Sequence, residues 1–227
     1  MNGLDGIELV VFDWDGTVVD SVPAIAGALQ LTAADLGLAV PDDRAARHVI
    51  GLGMRDALAY AVPDLAESRI PAFLARYRHH YLAMGTVDRP FEGIAGLLDD
   101  LLDAGVQLGV ATGKSRVGLD RAFEATGYGP RFAVSRCADE GRPKPDPWML
   151  DSIASHTGVA RAAIAMVGDT SHDVEMAKAA GVRSVAVSWG AHPLDALALA
   201  GPDRVVHSVA ELAALFVRAG DRVPACR

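Results

Sequence analysis

With 227 residues, 51% of them hydrophobic, the chain is long enough for one sizeable core and a smaller second one, which excludes disorder over most of its length. Its net charge of −8 argues against a general nucleic-acid binder, which normally presents a basic surface. No stretch approaches the roughly 18–20 uninterrupted apolar residues of a membrane span. Residues 1–6 lack the basic, apolar and small-residue succession of an export signal. Two cysteines, Cys137 and Cys226, make a disulfide framework unexpected, and Cys137 has no activating histidine pattern around it. A cytoplasmic protein with neither membrane nor nucleic-acid partner is the expectation.

Residues 7–12 form an apolar run with one acid, Glu8, and predict a buried strand. Directly after it comes Phe12-Asp13-Trp14-Asp15-Gly16-Thr17. Two carboxylates two residues apart at a strand end cost free energy unless a cation compensates them. Magnesium, which takes oxygen ligands and keeps places for water and phosphate, is the natural compensator. Residues 22–86 then show helical stretches at 23–36, 42–49, 54–61 and 66–84 with little strand signal, an all-helical insertion. His48 is expected on a helix face. His79 and His80 are adjacent and cannot share one, so they are expected to be solvated or packed rather than metal-binding.

From residue 91 onward helices and strands alternate. Helical patterns at 91–104, 116–126, 146–157 and 172–180 each stop at a glycine suited to a left-handed cap: Gly105, Gly127, Gly158 and Gly181. Strands are predicted at 106–111, 132–135, 164–167, 183–188 and 204–207. Ser208 and Glu211 make a capping box for a last helix to about residue 219, and the tail from residue 220 is expected to fray. Such alternation implies a mainly parallel sheet covered on both faces, with chemistry at the carboxyl ends of its strands.

Three further motifs fall at such ends. In Ala111-Thr112-Gly113-Lys114-Ser115 a hydroxyl and successive backbone amides can hold phosphate oxygens. Its Gly-Lys-Ser resembles the end of a nucleotide-binding P-loop, but that motif needs a glycine at position 108, where Leu108 stands. In Arg142-Pro143-Lys144-Pro145-Asp146-Pro147 the flanking prolines fix the chain, so that Lys144 can present a point charge to a phosphate. Lysine is otherwise scarce: only Lys114, Lys144 and Lys178 occur. Gly168-Asp169-Thr170-Ser171-His172-Asp173 adds one carboxylate at a strand end and another in the first turn of a helix. Three carboxylates call for a cation, while Thr112, Gly113 and Lys144 call for an anion. Magnesium plus a phosphoryl group meets both demands.

In these four motifs, in their order and over essentially the whole chain, the sequence resembles the haloacid dehalogenase-like hydrolase superfamily, in its phosphoglycolate phosphatase and β-phosphoglucomutase group. The resemblance implies an α/β fold: a Rossmann-like three-layer core with a parallel sheet, from residues 1–20 and 87–227, and a small all-helical cap domain, residues 21–86, inserted after the first strand. It implies a phosphatase acting on a small phosphorylated metabolite, as a monomer or homodimer. Asp13 would be the nucleophile that forms an aspartyl-phosphate, and Asp15 the acid and base. Mg2+ would be bound by Asp13, the backbone carbonyl of Asp15, and Asp169. Asp173 would support the metal shell or Lys144. Thr112 and the Gly113 amide would hold the phosphate, and Lys144 would neutralise it. Trp14 stands where a smaller or aliphatic residue is usual, and Gly113 where Asn or Ser is frequent.

Asp15 argues against a dehalogenase, since halide needs no acid to leave. The absence of lysine from residues 18–90 argues against phosphonate hydrolysis through a cap lysine. A β-phosphoglucomutase-like phosphomutase and a catalytically silent phospholigand-binding protein are the alternatives. The loop Gly51-Leu52-Gly53-Met54-Arg55 is expected to reach inward, with Arg55 contacting the non-phosphate end of the substrate.

Overall fold

Four consecutive apolar residues, Leu-Val-Val-Phe, make the central strand β1 (Leu9–Phe12), and all four are buried. Such a run suits a strand covered on both faces, and its side chains divide accordingly. Val10 and Phe12 join one apolar cluster; Leu9 and Val11 join another on the opposite face. The computed structural model describes residue 4, residues 6–85 and residues 88–216.

Around β1 lies a six-stranded sheet in the order β3-β2-β1-β4-β5-β6. The other strands are β2 (Gln107–Thr112), β3 (Val134–Cys137), β4 (Ile164–Gly168), β5 (Arg183–Val187) and β6 (Arg204–Val206). Every pairing is parallel, and Phe12 stands between Val110 of β2 and Val167 of β4. Helices α5 (Ile94–Asp103), α6 (Arg116–Thr126) and α10 (Val209–Phe216) bury Leu98, Leu101, Leu119 and Leu212 on the Phe12 face. Helices α7 (Trp148–Thr157) and α8 (Ser171–Ala180) bury Met149, Ile153 and Met176 on the other. This is the expected three-layer α/β core with a parallel sheet.

Between β1 and α5 lie α1 (Val22–Asp35), α2 (Asp43–His48), α3 (Met54–Ala61) and α4 (Ile70–Ala83). They pack on one another through a cluster of their own that includes Leu29, Val49, Leu58 and Phe73. The two chain segments that join them to the sheet run side by side: Asp20 N–H donates to the Arg89 carbonyl at 2.8 Å and Phe91 N–H to that of Val18 at 3.0 Å. Residues 86 and 87, where the expected boundary falls, lie outside the described residues.

Three expected elements differ in detail. β3 pairs from Val134 to Cys137 rather than over 132–135, because Phe132 turns into an aromatic cluster, stacked on Phe123 and edge-on to Phe12 and Trp14. A short helix, α9 (Leu194–Ala200), was not foreseen; it fully buries only Leu197, too little to leave a periodic pattern. The Ser208 hydroxyl accepts from Glu211 N–H at 3.2 Å, but the Glu211 carboxylate receives His207 N–H, one residue before the cap. The expected end of α10 near residue 219 and the tail from 220 lie outside the described residues.

Candidate active site

The carboxyl ends of the central strands bring the motif residues to one rim. Asp13 continues β1, its N–H donating to the Val167 carbonyl at 2.8 Å. Asp169 follows β4, and Thr112 ends β2. Gly16 adopts φ +80°, and a Cβ there or at Gly190 would fall inside the Asp169 carboxylate. These glycines let two backbone segments close directly on Asp169.

One side of the rim is fully enclosed. Lys144 Nζ lies 2.7 Å from Asp13 Oδ1 and 2.6 Å from Asp173 Oδ1. The second Asp173 oxygen accepts from Thr170 N–H at 3.1 Å and from the Thr170 hydroxyl at 2.7 Å, within the N-terminal cap of α8. Asp173 is thus committed to holding Lys144 and the start of its helix. Asp169 accepts from the Thr17 hydroxyl at 2.8 Å and from Ala191 N–H at 2.6 Å. Asp13, Lys144, Asp169 and Asp173 are no more than 1% exposed.

Three buried carboxylates face a single ammonium, and the electrostatics register the deficit. Burial pushes the Asp13 carboxyl up to about 7, against the pull of Lys144. Burial, with Asp13 and Asp173 as like charges, raises Asp169 well above the usual carboxylate range. Burial works to lower the Lys144 ammonium, but Asp13 and Asp173 overcome it and hold its pKa above the ordinary value. Neither Asp13 oxygen has a hydrogen-bond partner, since Lys144 lies near Oδ1 but out of line. One carboxylate oxygen from each of Asp13, Asp169 and Asp173 lies within 4.8 Å of the other two. The orphaned Asp13 oxygens, with the Asp169 carboxylate close by, form a hard oxygen donor set that fits a hard divalent cation.

The other side of the rim is open to a sliver of solvent. Asp15 Oδ1 accepts from the Ser21 hydroxyl at 2.5 Å and lies 2.9 Å from Lys114 Nζ. Lys114 also donates to the Tyr81 hydroxyl on α4 at 3.2 Å. The Lys114 and Asp15 side chains are 12% and 10% exposed. In the sequence Lys114 stands within the Thr112 motif and among three scarce lysines, yet no site role attaches to it there. Ser21 and Tyr81 carried no signal. Trp14, between the two aspartates, points away from the rim and packs edge-on against Phe123 at 5.2 Å and Phe132 at 6.0 Å.

The helical insertion lies directly against this rim. A Cβ on Gly113 would stand 2.8 Å from the backbone of Gly51, so only glycine admits that approach. A Cβ on Gly53 would stand 2.7 Å from Pro143. The loop at residues 51–53 therefore threads between the Thr112 and Lys144 segments, inward as expected. Arg55 does not follow it: its side chain is 85% exposed and 3.6 Å from Glu67, out on the helical surface. His48 lies at the end of α2, and its backbone carbonyl accepts from His172 Nε2 at 2.8 Å and His192 Nε2 at 3.1 Å. The three rings are close, but His192 Nδ1 accepts from Ser171 N–H at 3.0 Å, so both its nitrogens are engaged. As wired, the group is a tie between helices and sheet rather than a ligand set. Burial pushes the Cys137 thiol up to about 12, which leaves it protonated and unreactive at neutral pH.

The model of the family "Haloacid dehalogenase-like hydrolase" matches residues 10–187. The chain belongs to that family. It is 33% identical to the N-acetylmuramic acid 6-phosphate phosphatase of Pseudomonas aeruginosa, covering 94% of this chain and 96% of the relative. It is 34% identical to the phosphoglycolate phosphatase of Agrobacterium fabrum, covering 92% of each. In fold it is similar to a haloacid dehalogenase-like family hydrolase from Streptococcus pneumoniae, with a TM-score of 0.77 at 25% identity over 93% of this chain and 99% of that one. Among the described residues no helix is long and apolar enough to cross a membrane.

Proposed function

We propose that this haloacid dehalogenase-like hydrolase is a magnesium-dependent phosphatase of small phosphate monoesters, phosphoglycolate phosphatase-like, that works through an aspartyl-phosphate on Asp13. The observation that carries the reading is Asp13 itself. It is a buried carboxylate without a hydrogen-bond partner, with Lys144 and Asp169 on one side and Asp15 on the other. The two relatives named as phosphatases, matched over almost their whole length, support the same reaction class.

In this reading one Asp13 oxygen attacks phosphorus as the bond to the leaving oxygen breaks, and Asp15 gives that oxygen its proton. Asp15 then takes a proton from water, which attacks the phosphorus of the aspartyl-phosphate. The bond to Asp13 breaks, phosphate departs and the carboxylate is restored. Thr112 and the Gly113 amide hold phosphoryl oxygens, and Lys144, positioned by Asp173, neutralises them. Asp13, Asp169 and the Asp15 carbonyl would hold Mg2+, which when bound supplies positive charge against the phosphoryl oxygens and the clustered carboxylates.

Residues 21–86 act as the cap that closes over this rim and residues 1–20 and 87–227 as the core, with the paired segments near residues 18–20 and 89–91 as the hinge. The substrate is a small phosphorylated metabolite and the setting cytoplasmic, with the protein a monomer or homodimer. The test is hydrolysis of p-nitrophenyl phosphate with magnesium and with chelator, followed by acid quenching and mass analysis of the Asp13 peptide. Magnesium-dependent release of phosphate with a phosphorylated Asp13 is expected. Turnover unaffected by chelator, or no turnover at all, would remove the proposal. Interconversion of hexose phosphate isomers without phosphate release would replace it with a mutase.

A further inference from the structure

The rim holds a second enclosed cation to which the reaction above gives no task. Lys114 sits on the Asp15 side, where the leaving group must lie if Asp15 protonates it. An ammonium has three N–H donors; Lys114 spends one on the Tyr81 hydroxyl and faces Asp15 Oδ1 at 2.9 Å as an ion pair. The Tyr81 oxygen is the acceptor in that bond, so its own O–H remains to donate and finds no acceptor among the described residues. Two unspent donors therefore stand on atoms 3.2 Å apart, one from the core and one from α4 of the cap.

The surroundings leave these donors facing an anion. Burial keeps the Tyr81 hydroxyl protonated by raising its pKa. Asp15 Oδ1, 2.9 Å away, supplies the opposite charge beside the Lys114 ammonium. Asp88 is the other acid near Lys114; burial raises its pKa and it makes no hydrogen bond to the lysine. Arg55, the cation expected to meet the far end of the substrate, is out on the surface, whereas Lys114 lies at the rim beside Asp15.

We propose that Lys114 and Tyr81 together bind a carboxylate carried by the leaving group of the substrate, one donor to each oxygen, and so set the enzyme's preference for acidic phosphate esters. The proposal rests on the phosphatase reading and adds the residues that select the substrate. Because Tyr81 comes from the cap, the contact also couples closure to recognition of the acid.

The experiment compares kcat/KM for 2-phosphoglycolate with that for 2-hydroxyethyl phosphate, in which a hydroxymethyl group replaces the carboxylate, in magnesium. The ratio of the two cancels any effect of Lys114 on Asp15. Wild type is expected to favour the acid by about tenfold or more, as for a charge-assisted hydrogen bond. Lys114→Met should bring the ratio close to one, Lys114→Arg should restore part of it, and Tyr81→Phe should lower it by roughly threefold. A wild-type ratio near one overturns the assignment. So does an unchanged ratio in Lys114→Met with both rates reduced together, which would make Lys114 only a support for Asp15. Should Lys114→Met fail to fold, Tyr81→Phe, which keeps every charge, decides by the same ratio. Turnover of neither ester by wild type would instead sink the phosphatase reading.

Discussion

The two lysine–aspartate groups of the rim use the same chemistry in different surroundings. Around Lys144 both partner carboxylates, Asp13 and Asp173, are buried, one oxygen of Asp173 is tied to a helix cap, and all three residues lie outside the helical insertion. Around Lys114 the partners are Asp15 and a tyrosine from the helical insertion, and about a tenth of each charged side chain meets solvent. The first group can only stay as it is. The second is shared between the sheet and the insertion. In the proposed reading the phosphoryl group, the same in every ester, meets the fixed cradle, whereas leaving groups, which differ, meet the contact that the insertion completes.

The largest effects are expected on the fixed side. Asp13→Asn keeps the shape but removes the carboxylate proposed as nucleophile, and turnover should fall more than about a thousandfold. Steady-state hydrolysis with a circular-dichroism check of folding measures this; substantial remaining activity would move the covalent step elsewhere. Lys144→Met leaves Asp13 and Asp173 buried without their cation. Removing one partner of a buried pair typically costs about 3–5 kcal/mol. The melting temperature should therefore drop by roughly 10 °C and kcat by at least about a hundredfold. If Lys144→Met melted like wild type, the enclosed side would not be the rigid one.

The contact between the two regions is next. Gly113→Ala keeps the backbone amide expected to bind phosphate but places a methyl 2.8 Å from the Gly51 backbone. One of the two loops must give way. We expect kcat/KM to fall about tenfold, as for a reacting geometry displaced by a fraction of an ångström, with the melting temperature little changed. Wild-type kinetics in Gly113→Ala would show that the close approach of residues 51–53 is unrelated to turnover.

What could be read from sequence, and what could not, divides along the same line. Asp13, Asp169, Thr112 and Lys144 were singled out because each sits in a short motif beside a buried strand or a proline-fixed loop, where local pattern carries the information. The parallel sheet was legible because β1 and β4 are apolar throughout, as strands covered on both faces must be. The Lys114–Tyr81 contact joins residues 33 apart in sequence and depends on where α4 comes to rest. The His48 carbonyl that receives two imidazoles lies 124 and 144 residues from them. No local periodicity encodes such pairings. Phe132 shows the same limit within the core: its β-propensity favoured a strand, and packing with Phe123 and Trp14 overrode it.

Arg55 gives the smallest predicted effect and a sharp one. In sequence it had the better claim to meet the far end of the substrate, because it follows a glycine-rich loop that does reach the rim. But the helix that begins at Met54 turns its side chain outward, to Glu67. An ion pair at 3.6 Å between side chains 85% and 81% exposed is screened by water and contributes little. Arg55→Ala should thus change the phosphoglycolate to hydroxyethyl phosphate ratio by less than about twofold and the melting temperature by less than about 2 °C. A selective loss on the acidic ester would mean that α3 turns during catalysis and that Arg55 shares the leaving-group side with Lys114. The reachable half of the rim would then include the α2–α3 loop as well as α4.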